Sequence, residues 1–446
     1  MMKYENYKPS GIEWLGEIPE HWEVNNLKRL CSLIKDGTHG SFRRVDFGFP
    51  LLSVRNIVNS CFVLLEDDSH ISKEDYVTIT NSFKIRENDI QLAIVGATMG
   101  KVAKVPKLEP FATQRSLSTI RTNNKLLITD YLFYFIQSSK FQSFLWANTS
   151  YSAQPGIYLG TIQNIGIPLP TISEQTAIAQ YLDYKTQTID QKIDILTRKI
   201  SLYKNLRKGI INNAVCRGID KNIKLKDSDL DFQVPENWNI YRLKDLGYLY
   251  SGLSGKSGDD FNQDENPNNK GFIPFTNIAN NTYLKKDHLG TVNISDNENQ
   301  NKVKKGDIFF LMSSEGYEDI GKTALLADDL EETYLNSFCK GYRINNKNGN
   351  STFLNYLLLS DNYRKLLIVE GKGFTRINLK MEKVTDFTVY LPPTKEEQIK
   401  IAEYLDQKTQ KIDCILYNIQ KQIATLKELR KSLINDVVTG KIKVIV

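Results

Sequence analysis

One stretch of the chain has the residue types and spacing of a phosphate-binding loop. Residues 316–323 (GYEDIGKT) match the Walker A pattern GxxxxGK[ST] and follow an apolar segment at residues 308–312. Such a loop would cradle nucleotide phosphates, but Glu318 and Asp319 would place two carboxylates inside it. No later apolar strand ends in a carboxylate placed to hold magnesium. We therefore expect a strand-to-turn feature here and no nucleotide site.

Other catalytic constellations are missing from the sequence. A methyltransferase that modifies adenine would need an (N/D)PP(Y/F) motif, which residues 266–269 (NPNN) do not supply, and there is no HExxH motif or nucleophile elbow. The five cysteines never form a CxxC pair and there are only four histidines, which argues against a disulfide framework or a zinc site. We expect a protein that is not an enzyme by itself, with no catalytic residues, no cofactor and no metal.

The elements that would position any binding residues are dominated by an internal repeat. Residues 170–190 (PTISEQTAIAQYLDYKTQTID) return at residues 393–413 (PTKEEQIKIAEYLDQKTQKID), at a constant offset of 223 that continues to Asn212 and Asn435. Each copy predicts one long helix, capped by Thr171 or Ser173 in the first copy and by Thr394 in the second.

Both predicted helices carry apolar residues at heptad spacing, without a proline, over more than four heptads. This pattern is typical of a coiled coil, and two matching helices in one chain can pair with each other. The predicted seam comprises Leu182, Ile189, Ile193, Leu196, Ile200, Tyr203 and Ile210, together with Leu405, Ile412, Leu416, Ile419, Ile423, Leu426 and Leu433. The alternative is an ordinary helical hairpin within a core.

The repeat extends beyond the helices. The opening IPEHW (residues 18–22) is echoed by VPENW (residues 234–238), and GFPLLSVRNI (48–57) by GFIPFTNI (271–278). Asp89 matches Asp307, Arg121 matches Arg343, and the helical pattern at 130–145 matches that at 353–367. The sequence therefore predicts two α/β (α+β) domains of one fold, divided as 1–168, helix 169–217, linker 218–233, second domain 234–391 and helix 392–446. The internal repeat implies a pseudo-twofold relation.

Composition places few limits on function. The chain has 446 residues, 41% of them hydrophobic and 25% charged, and a net charge of +6 that permits a nucleic-acid partner without requiring one. No apolar run approaches the length of a transmembrane helix and the first residues do not resemble a signal peptide, so we expect a cytoplasmic protein with no membrane partner.

At this point the chain resembles the specificity subunit of a type I restriction-modification system, a system of DNA methylation and defence against foreign DNA. The resemblance lies in the two EQ…IAxYLDxKTQxID segments, the LRK that follows each (residues 206–208 and 429–431), and the two Pro-Glu-x-Trp openings. It implies two target-recognition domains, each reading half of a split, asymmetric double-stranded DNA sequence. It also implies that the helices form an intramolecular antiparallel coiled coil, which spaces the domains and docks two methyltransferase subunits, and that restriction and translocase subunits complete the complex. The subunit itself would be non-catalytic but needed for both activities of the complex.

Reading base edges requires Arg, Lys, amide and hydroxyl side chains on loops, with further basic groups on phosphates. The candidates with that chemistry are Thr38, His39, Ser41, Arg43, Arg44, Arg55, Asn56, Gln114 and Arg115 in the first domain, and Lys256, Thr276, Asn277, Asn336, Ser337, Lys372 and Arg376 in the second. For any one of them the alternative is a solvated charge or turn residue. Arg207 and Arg430, on the helix seams, are expected to pair across the coil. The alternative function for the whole chain is a coiled-coil scaffold whose two globular domains bind proteins.

Overall fold

The computed structural model describes residues 2–150, 155–220, 222–263, 266–295 and 297–444. Contacts divide the chain into two compact units, the first made of Met1–Thr197 with Gln420–Val446 and the second of Arg198–Ile419. The division passes through both long helices, so each unit contains one globular domain and one segment of each helix. Among the described residues, no helix is both long and apolar enough to cross a membrane.

The strands of the first unit precede the first long helix in the sequence. Its strands are β1 (Tyr7–Pro9), β2 (Glu17–Pro19), β3 (Glu23–Asn26), β4 (Cys31–Asp36), β5 (Phe49–Leu52), β6 (Ile57–Val58), β7 (Cys61–Phe62), β8 (His70–Ile71), β9 (Ile90–Ala93), β10 (Val102–Lys104), β11 (Ala112–Thr113), β12 (Leu117–Thr122) and β13 (Gly166–Leu169). Its helices are α1 (Leu27–Leu30), α2 (Lys73–Thr80), α3 (Thr129–Gln137), α4 (Ser139–Ala147), α5 (Leu159–Gln163) and the first part of α6 (Ile172–Arg217), together with the last part of the second long helix, Lys395–Val438.

The second unit follows a similar order of elements, except that a helix at Phe275–Asn280 stands where the first unit has β6 and β7, and its described residues form no counterpart of α2. Its strands are β14 (Leu225–Asp227), β15 (Gln233–Pro235), β16 (Asn239–Arg242), β17 (Gly247–Ser251), β18 (Asn269–Ile273), β19 (Gly290–Asn293), β20 (Ile308–Leu311), β21 (Ser313–Ser314), β22 (Thr323–Leu325), β23 (Thr333–Leu335), β24 (Cys339–Ile344), β25 (Ile377–Asn378) and β26 (Thr388–Leu391). Its helices are α7 (Leu243–Leu246), α8 (Phe275–Asn280), α9 (Ser351–Leu359), α10 (Asp361–Val369), α11 (Met381–Thr385) and the first part of α12 (Lys395–Val438), together with the last part of α6.

The two domains share a sheet topology. The first has the strand order β4-β12-β9-β10-β7-β6 and the second β17-β24-β20-β22, with β12 and β24 antiparallel to both of their neighbours. A three-stranded sheet accompanies each, β11-β5-β8 in the first and β19-β18-β23 in the second. The landmarks matched in the sequence therefore occupy equivalent strands, and the expectation of one mixed α/β fold present twice is confirmed.

Each long helix starts where its cap predicts. The amide of Glu174 donates to the hydroxyl of Thr171 (3.3 Å), and the amide of Glu397 donates to the hydroxyl of Thr394 (3.2 Å). Thr171 rather than Ser173 is therefore the cap of α6. No proline interrupts either helix, so the i to i−4 ladder can run for 46 residues in α6 and 44 in α12.

Within each unit the two helix segments run antiparallel. In the first unit, the hydroxyl of Tyr131 contacts the carbonyls of Pro168 and Val438, whereas Asp190 further along α6 pairs with Arg430 at 3.0 Å. In the second unit, Arg207 pairs with Asp413, also at 3.0 Å. Both arginines thus pair across the coil, as expected. Every residue of the predicted seam is buried or half-buried.

One sequence expectation about local structure needs correction. The single helices expected at 130–145 and 353–367 are each two helices, broken at Ser138 and Ser360. Both serines have extended backbones, and each hydroxyl donates to a carbonyl three residues earlier. Serine competes with the helix for backbone partners in this way, and continuous apolar periodicity conceals the break. The expected linker at 218–233 contains strand β14 and the first residue of β15.

Candidate nucleic-acid interface

A buried ion pair fixes the central sheet of each domain. Asp89, at the start of β9, receives two hydrogen bonds of 2.7 Å from the guanidinium of Arg121 on β12. Asp307 receives two of the same length from Arg343 on β24. The hydrogen bonds to Asp307 raise the pKa of Arg343 above its ordinary value. The matched landmarks are therefore structural, and they set the strand ends from which the loops emerge.

A second set of contacts joins each Pro-Glu-x-Trp opening to the helix repeat. The indole nitrogen of Trp22 donates to Glu174 (3.2 Å), and that of Trp238 donates to Glu397 (3.4 Å). Glu174 also accepts from the hydroxyl of Tyr4. Two motifs that lie far apart in the sequence are thus one structural connection, present in each unit.

The remaining polar residues of the repeat hold the domains to the helices. Gln175 and Gln398 each accept a backbone amide and donate to backbone carbonyls of their own domain, and the hydroxyls of Tyr134 and Tyr356 donate to Asp183 and Asp406. Contacts within the chain therefore explain why the two helix repeats have such similar sequences. It does not by itself require an external partner that is contacted twice.

In each domain two loops lie side by side, and this pair of loops occupies an equivalent place in the two domains. Gly37 follows β4 so closely against the backbone at 113–114 that a Cβ would lie 2.3 Å from the Thr113 carbonyl oxygen. Gly252, after β17, is equally constrained, because a Cβ there would lie 2.2 Å from the Asn336 carbonyl oxygen. Only glycine allows this approach, which places the loop after the edge strand beside the turn that precedes β12 or β24.

In the first domain this arrangement brings four of the candidate residues together. Thr38 forms a parallel bridge with Gln114, and the amide of Arg115 donates to the Thr38 carbonyl (3.0 Å). Arg115 and His39 are exposed, and His39 contacts Asp36 at 2.6 Å. Amide, hydroxyl, imidazole and guanidinium groups thus share one surface, which we call the first reading surface (Thr38, His39, Gln114, Arg115).

In the second domain the equivalent surface includes one further segment, the loop that carries Arg376. Asn336 and Ser337 form the turn before β24, and the guanidinium carbon of Arg376 lies 4.8 Å from the ring centroid of Phe338. Lys372 pairs with Asn378 through two backbone hydrogen bonds at the base of the same loop as Arg376. We call this set the second reading surface (Asn336, Ser337, Lys372, Arg376).

Two of the candidates are structural residues. Asn56 has no exposed surface, and its amide donates to the Val63 carbonyl and to Asp68 while accepting from Ser53. Asn277, at the matching position, is also buried and bonds the backbone of Lys285. An amide that is buried and fully bonded cannot contact a base, so we remove both from the candidate set.

Two charged candidates are committed to ion pairs. Arg55 donates to both oxygens of the Asp67 carboxylate, at 2.8 and 2.9 Å, which raises its pKa. Lys256 contacts Glu298 at 2.6 Å, and this ammonium is the main cause that lowers the pKa of Glu298 to about 2. Either cation would have to leave its carboxylate to reach a phosphate.

The other candidates are exposed, and three of them follow His39 in the same segment. Ser41, Arg43 and Arg44 belong to the segment between β4 and β5, where Arg44 donates to the Phe42 carbonyl (2.7 Å). Thr276 is exposed on α8, next to the buried Asn277.

The Walker-like stretch is not a phosphate loop. Thr323 begins strand β22, whereas a phosphate loop of this type is followed by a helix that starts at the lysine. Lys322 contacts Asp319 at 2.6 Å. The expectation of a strand-to-turn feature is confirmed.

Sequence reasoning missed one prominent residue of the second domain. Phe374 is fully exposed at the tip of the loop that carries Lys372 and Arg376. The signal was available, because an aromatic residue lies between two basic ones in GKGFTR (residues 371–376). A search for hydrogen-bonding side chains passed over it.

These features define a protein with two domains of one fold, each bound through repeated residues to a pair of helices. Residues 19–201 and 235–425 match the family described as the type I restriction modification DNA specificity domain. The MjaVIII specificity subunit of Methanocaldococcus jannaschii is 25% identical over 460 residues, which cover 99% of this chain and 97% of that protein. The EcoKI specificity subunit of Escherichia coli is 22% identical, with 96% and 90% covered.

Solved structures agree on the fold. A chain from a structure described as showing complex assembly and conformational transition of the type I R-M system is 18% identical, with a TM-score of 0.72 over 95% of this chain and 99% of that one. The HsdS subunit from Thermoanaerobacter tengcongensis is 16% identical, with a TM-score of 0.53 over 95% and 98%. The chain belongs to the type I restriction-modification specificity family, as the sequence resemblance predicted.

Proposed function

We propose that each domain of this specificity subunit reads one half of a split, asymmetric target in double-stranded DNA. The observation that carries the proposal is the equivalent loop pair at Gly37 and Gly252. One scaffold presents different polar side chains at the same place in each domain, which is what two readers of different half-sites require.

The reading chemistry follows from the residue types on the two surfaces. Arg115 can contact guanine through O6 and N7, and Gln114 or Asn336 can contact adenine through N6 and N7. Lys372 and Arg376 are suited to phosphates or to guanine. The chain performs no bond-making step in this scheme, because its work is to bring partner enzymes to one sequence.

We also propose that the paired helices set the spacing between the half-sites. Deleting one heptad from both helices, residues 193–199 with 416–422, removes about 10 Å of helix at 1.5 Å per residue. That length corresponds to about three base pairs of DNA. We expect a target with a shorter spacer, or loss of binding if the rotational phase is lost. An unchanged spacer would contradict the spacing role.

Two methyltransferase subunits are the partners we propose for the helices, with restriction and translocase subunits joining the complete complex. Leu206 and Leu429 support this docking, because they occupy matching positions of the repeat and are 50% and 48% exposed. A matched pair of apolar side chains suits two copies of one partner. Leu202 provides a control, since it is 68% exposed but its counterpart in the repeat is Thr425.

Native mass spectrometry of the assembled complex tests this docking. We expect Leu206→Ser or Leu429→Ser each to cost one methyltransferase and the double variant to cost both. Leu202→Ser should retain two copies. Retention of both copies by the double variant would rule out this docking position.

The function as a whole is tested by a single-molecule methylation map of DNA from cells with and without this gene, in the presence of the partner methyltransferase. A split, asymmetric adenine-methylated motif that depends on the gene is the expected result. No change, with the methyltransferase shown to be active, would instead favour a scaffold whose domains bind proteins.

A further inference from the structure

Phe374 stands at the tip of a closed loop in the second domain. The backbones of Lys372 and Asn378 exchange two hydrogen bonds, of 3.0 and 2.9 Å, and β25 pairs in turn with β21. Gly373 has φ +155°, and a Cβ there would lie 1.9 Å from the Arg376 carbonyl oxygen. The tight turn therefore requires glycine and projects the neighbouring phenylalanine from an anchored base.

The surroundings of Phe374 combine aromatic rings with cations. Arg376 lies over the ring of Phe338, which is itself exposed, and Lys372 and Lys380 are exposed at the two ends of the segment. The adjacent loop after β21 adds the exposed ring of Tyr317. Single exposed apolar residues are common and need no explanation, but this ring lies between two cations in the sequence, and two further exposed rings belong to segments that contact the loop or its base.

Two carboxylates of this corner pair with lysines outside the loop that carries Phe374, and two others are exposed on the neighbouring loop. Glu370 contacts Lys383 at 2.8 Å, and Asp319 contacts Lys322 at 2.6 Å. Glu315 and Glu318 are exposed on the loop after β21, whereas the loop that carries Phe374 has only cations. An apolar ring flanked by Lys372 and Arg376 fits a polyanion that also offers flat apolar faces, and DNA has both features.

We propose that Phe374 inserts between adjacent bases in the half-site read by the second domain, while Lys372 and Arg376 contact the flanking phosphates. This inference rests on the proposed function and adds to it a residue that deforms the target. Apolar wedges of this kind partly unstack a base step and kink the duplex. The second domain would then select its half-site partly by how easily one step opens, in addition to hydrogen bonds with base edges.

The insertion is tested with the assembled specificity–methyltransferase complex and a duplex that carries the mapped target. 2-Aminopurine is placed in turn at each step of the half-site read by the second domain, since its emission rises when it is unstacked. We expect a rise at one step other than the methylated adenine. Phe374→Ala should abolish that rise and weaken binding about tenfold, because stacking on an aromatic side chain contributes on the order of 1–3 kcal/mol per base.

Two variants separate insertion from a general effect on the surface. Phe374→Leu should keep the emission rise, because leucine also serves as a wedge. Val369→Ala, at an exposed apolar residue of the same unit, should match the unsubstituted complex in emission and affinity.

Three outcomes would overturn the inference. Unchanged emission and affinity in Phe374→Ala would contradict insertion. Weaker methyltransferase association of Phe374→Ala, measured without DNA, would instead make the corner a protein-docking surface. If the unsubstituted complex does not prefer the target over a scrambled duplex, the proposed function fails together with the wedge. A complex that prefers its target but is insensitive to Phe374→Ala removes the wedge alone.

Discussion

The two domains share the contacts that hold each of them together, but they differ in the side chains of their paired loops. Their ion pairs, their Trp–Glu contacts and their glutamine contacts to the backbone recur at equivalent positions, whereas the side chains on the paired loops do not. Thr38 and His39 beside Gln114 in the first domain correspond to a loop beside Asn336 in the second. Similarity within the chain thus includes the contacts that hold each domain together and to its helices, whereas the side chains of the paired loops differ.

The buried ion pair of the second domain has one hydrogen bond more than that of the first. The hydroxyl of Tyr250 donates to Asp307 at 2.5 Å, which adds a partner to the buried ion pair of the second domain. Burial, together with the charge of Asp307, raises the pKa of this tyrosine above its ordinary value. The two copies of one framework should therefore tolerate the same substitution to different extents.

The largest expected effect comes from replacing a whole domain. Exchanging residues 22–165 for the equivalent domain of another family member should change one half of the methylated motif completely and leave the other half intact, because each unit has its own core. Methylation mapping measures this result. A motif altered in both halves would mean that the domains do not read independently.

The next largest effect concerns the buried ion pairs. Arg121→Ala leaves Asp89, whose side chain is 2% exposed, without its cation, and we expect a loss of about 3–5 kcal/mol in the free energy of unfolding. Arg343→Ala should cost less, because Asp307 keeps its bond from Tyr250.

Urea unfolding followed by tryptophan fluorescence distinguishes the two ion-pair variants, since Trp238 is the one tryptophan of the second unit. Lys244→Ala, which removes an exposed pair with Asp386, is the control and should leave the free energy of unfolding almost unchanged. Equal losses for the two arginine variants would show that Tyr250 contributes nothing.

A smaller effect is expected at the junction of the helices and the openings. Glu174 accepts from both Tyr4 and Trp22, whereas Glu397 accepts from Trp238. One hydrogen bond to a charged group contributes about 1.5–3 kcal/mol, so Glu174→Ala should destabilise its unit by about that much more than Glu397→Ala destabilises the other. Thermal unfolding of both variants gives the comparison, and the opposite order would contradict it.

The smallest effect belongs to the pairs between the helices. Arg430→Ala removes a pair with the half-exposed Asp190, and we expect a loss of about 0.2–1 kcal/mol that declines as NaCl is added. Arg207→Ala should cost slightly more, because Arg207 also donates to the hydroxyl of Thr282 at 3.3 Å. A loss that does not respond to salt would mean that packing, rather than charge, is at stake.

Much of the framework was predictable from sequence because its signals are periodic or repeated. The heptad spacing predicted the two long helices, and the match between Asp89 and Asp307 predicted that the strands after them are equivalent. The breaks at Ser138 and Ser360 were not predictable, because local hydrogen bonds there override an unbroken apolar pattern.

The candidate site was harder to predict, because residue type does not reveal exposure. Asn56 and Asn277 have side chains of a type that can read bases, but their amides are already hydrogen-bonded within the chain. Phe374 has none of that chemistry and yet is fully exposed. The side chains that would meet DNA depend on how the backbone turns, which in these loops is set by close approaches at glycine rather than by any periodic pattern.

The close packing at Gly37 and Gly252 has an evolutionary consequence. These loops are positioned through backbone atoms, so the side chains beyond each glycine contribute little to folding. New combinations can accumulate there without a stability threshold that would eliminate them. A lineage of such proteins could therefore explore new DNA targets rapidly while every member keeps the same helices and the same partners.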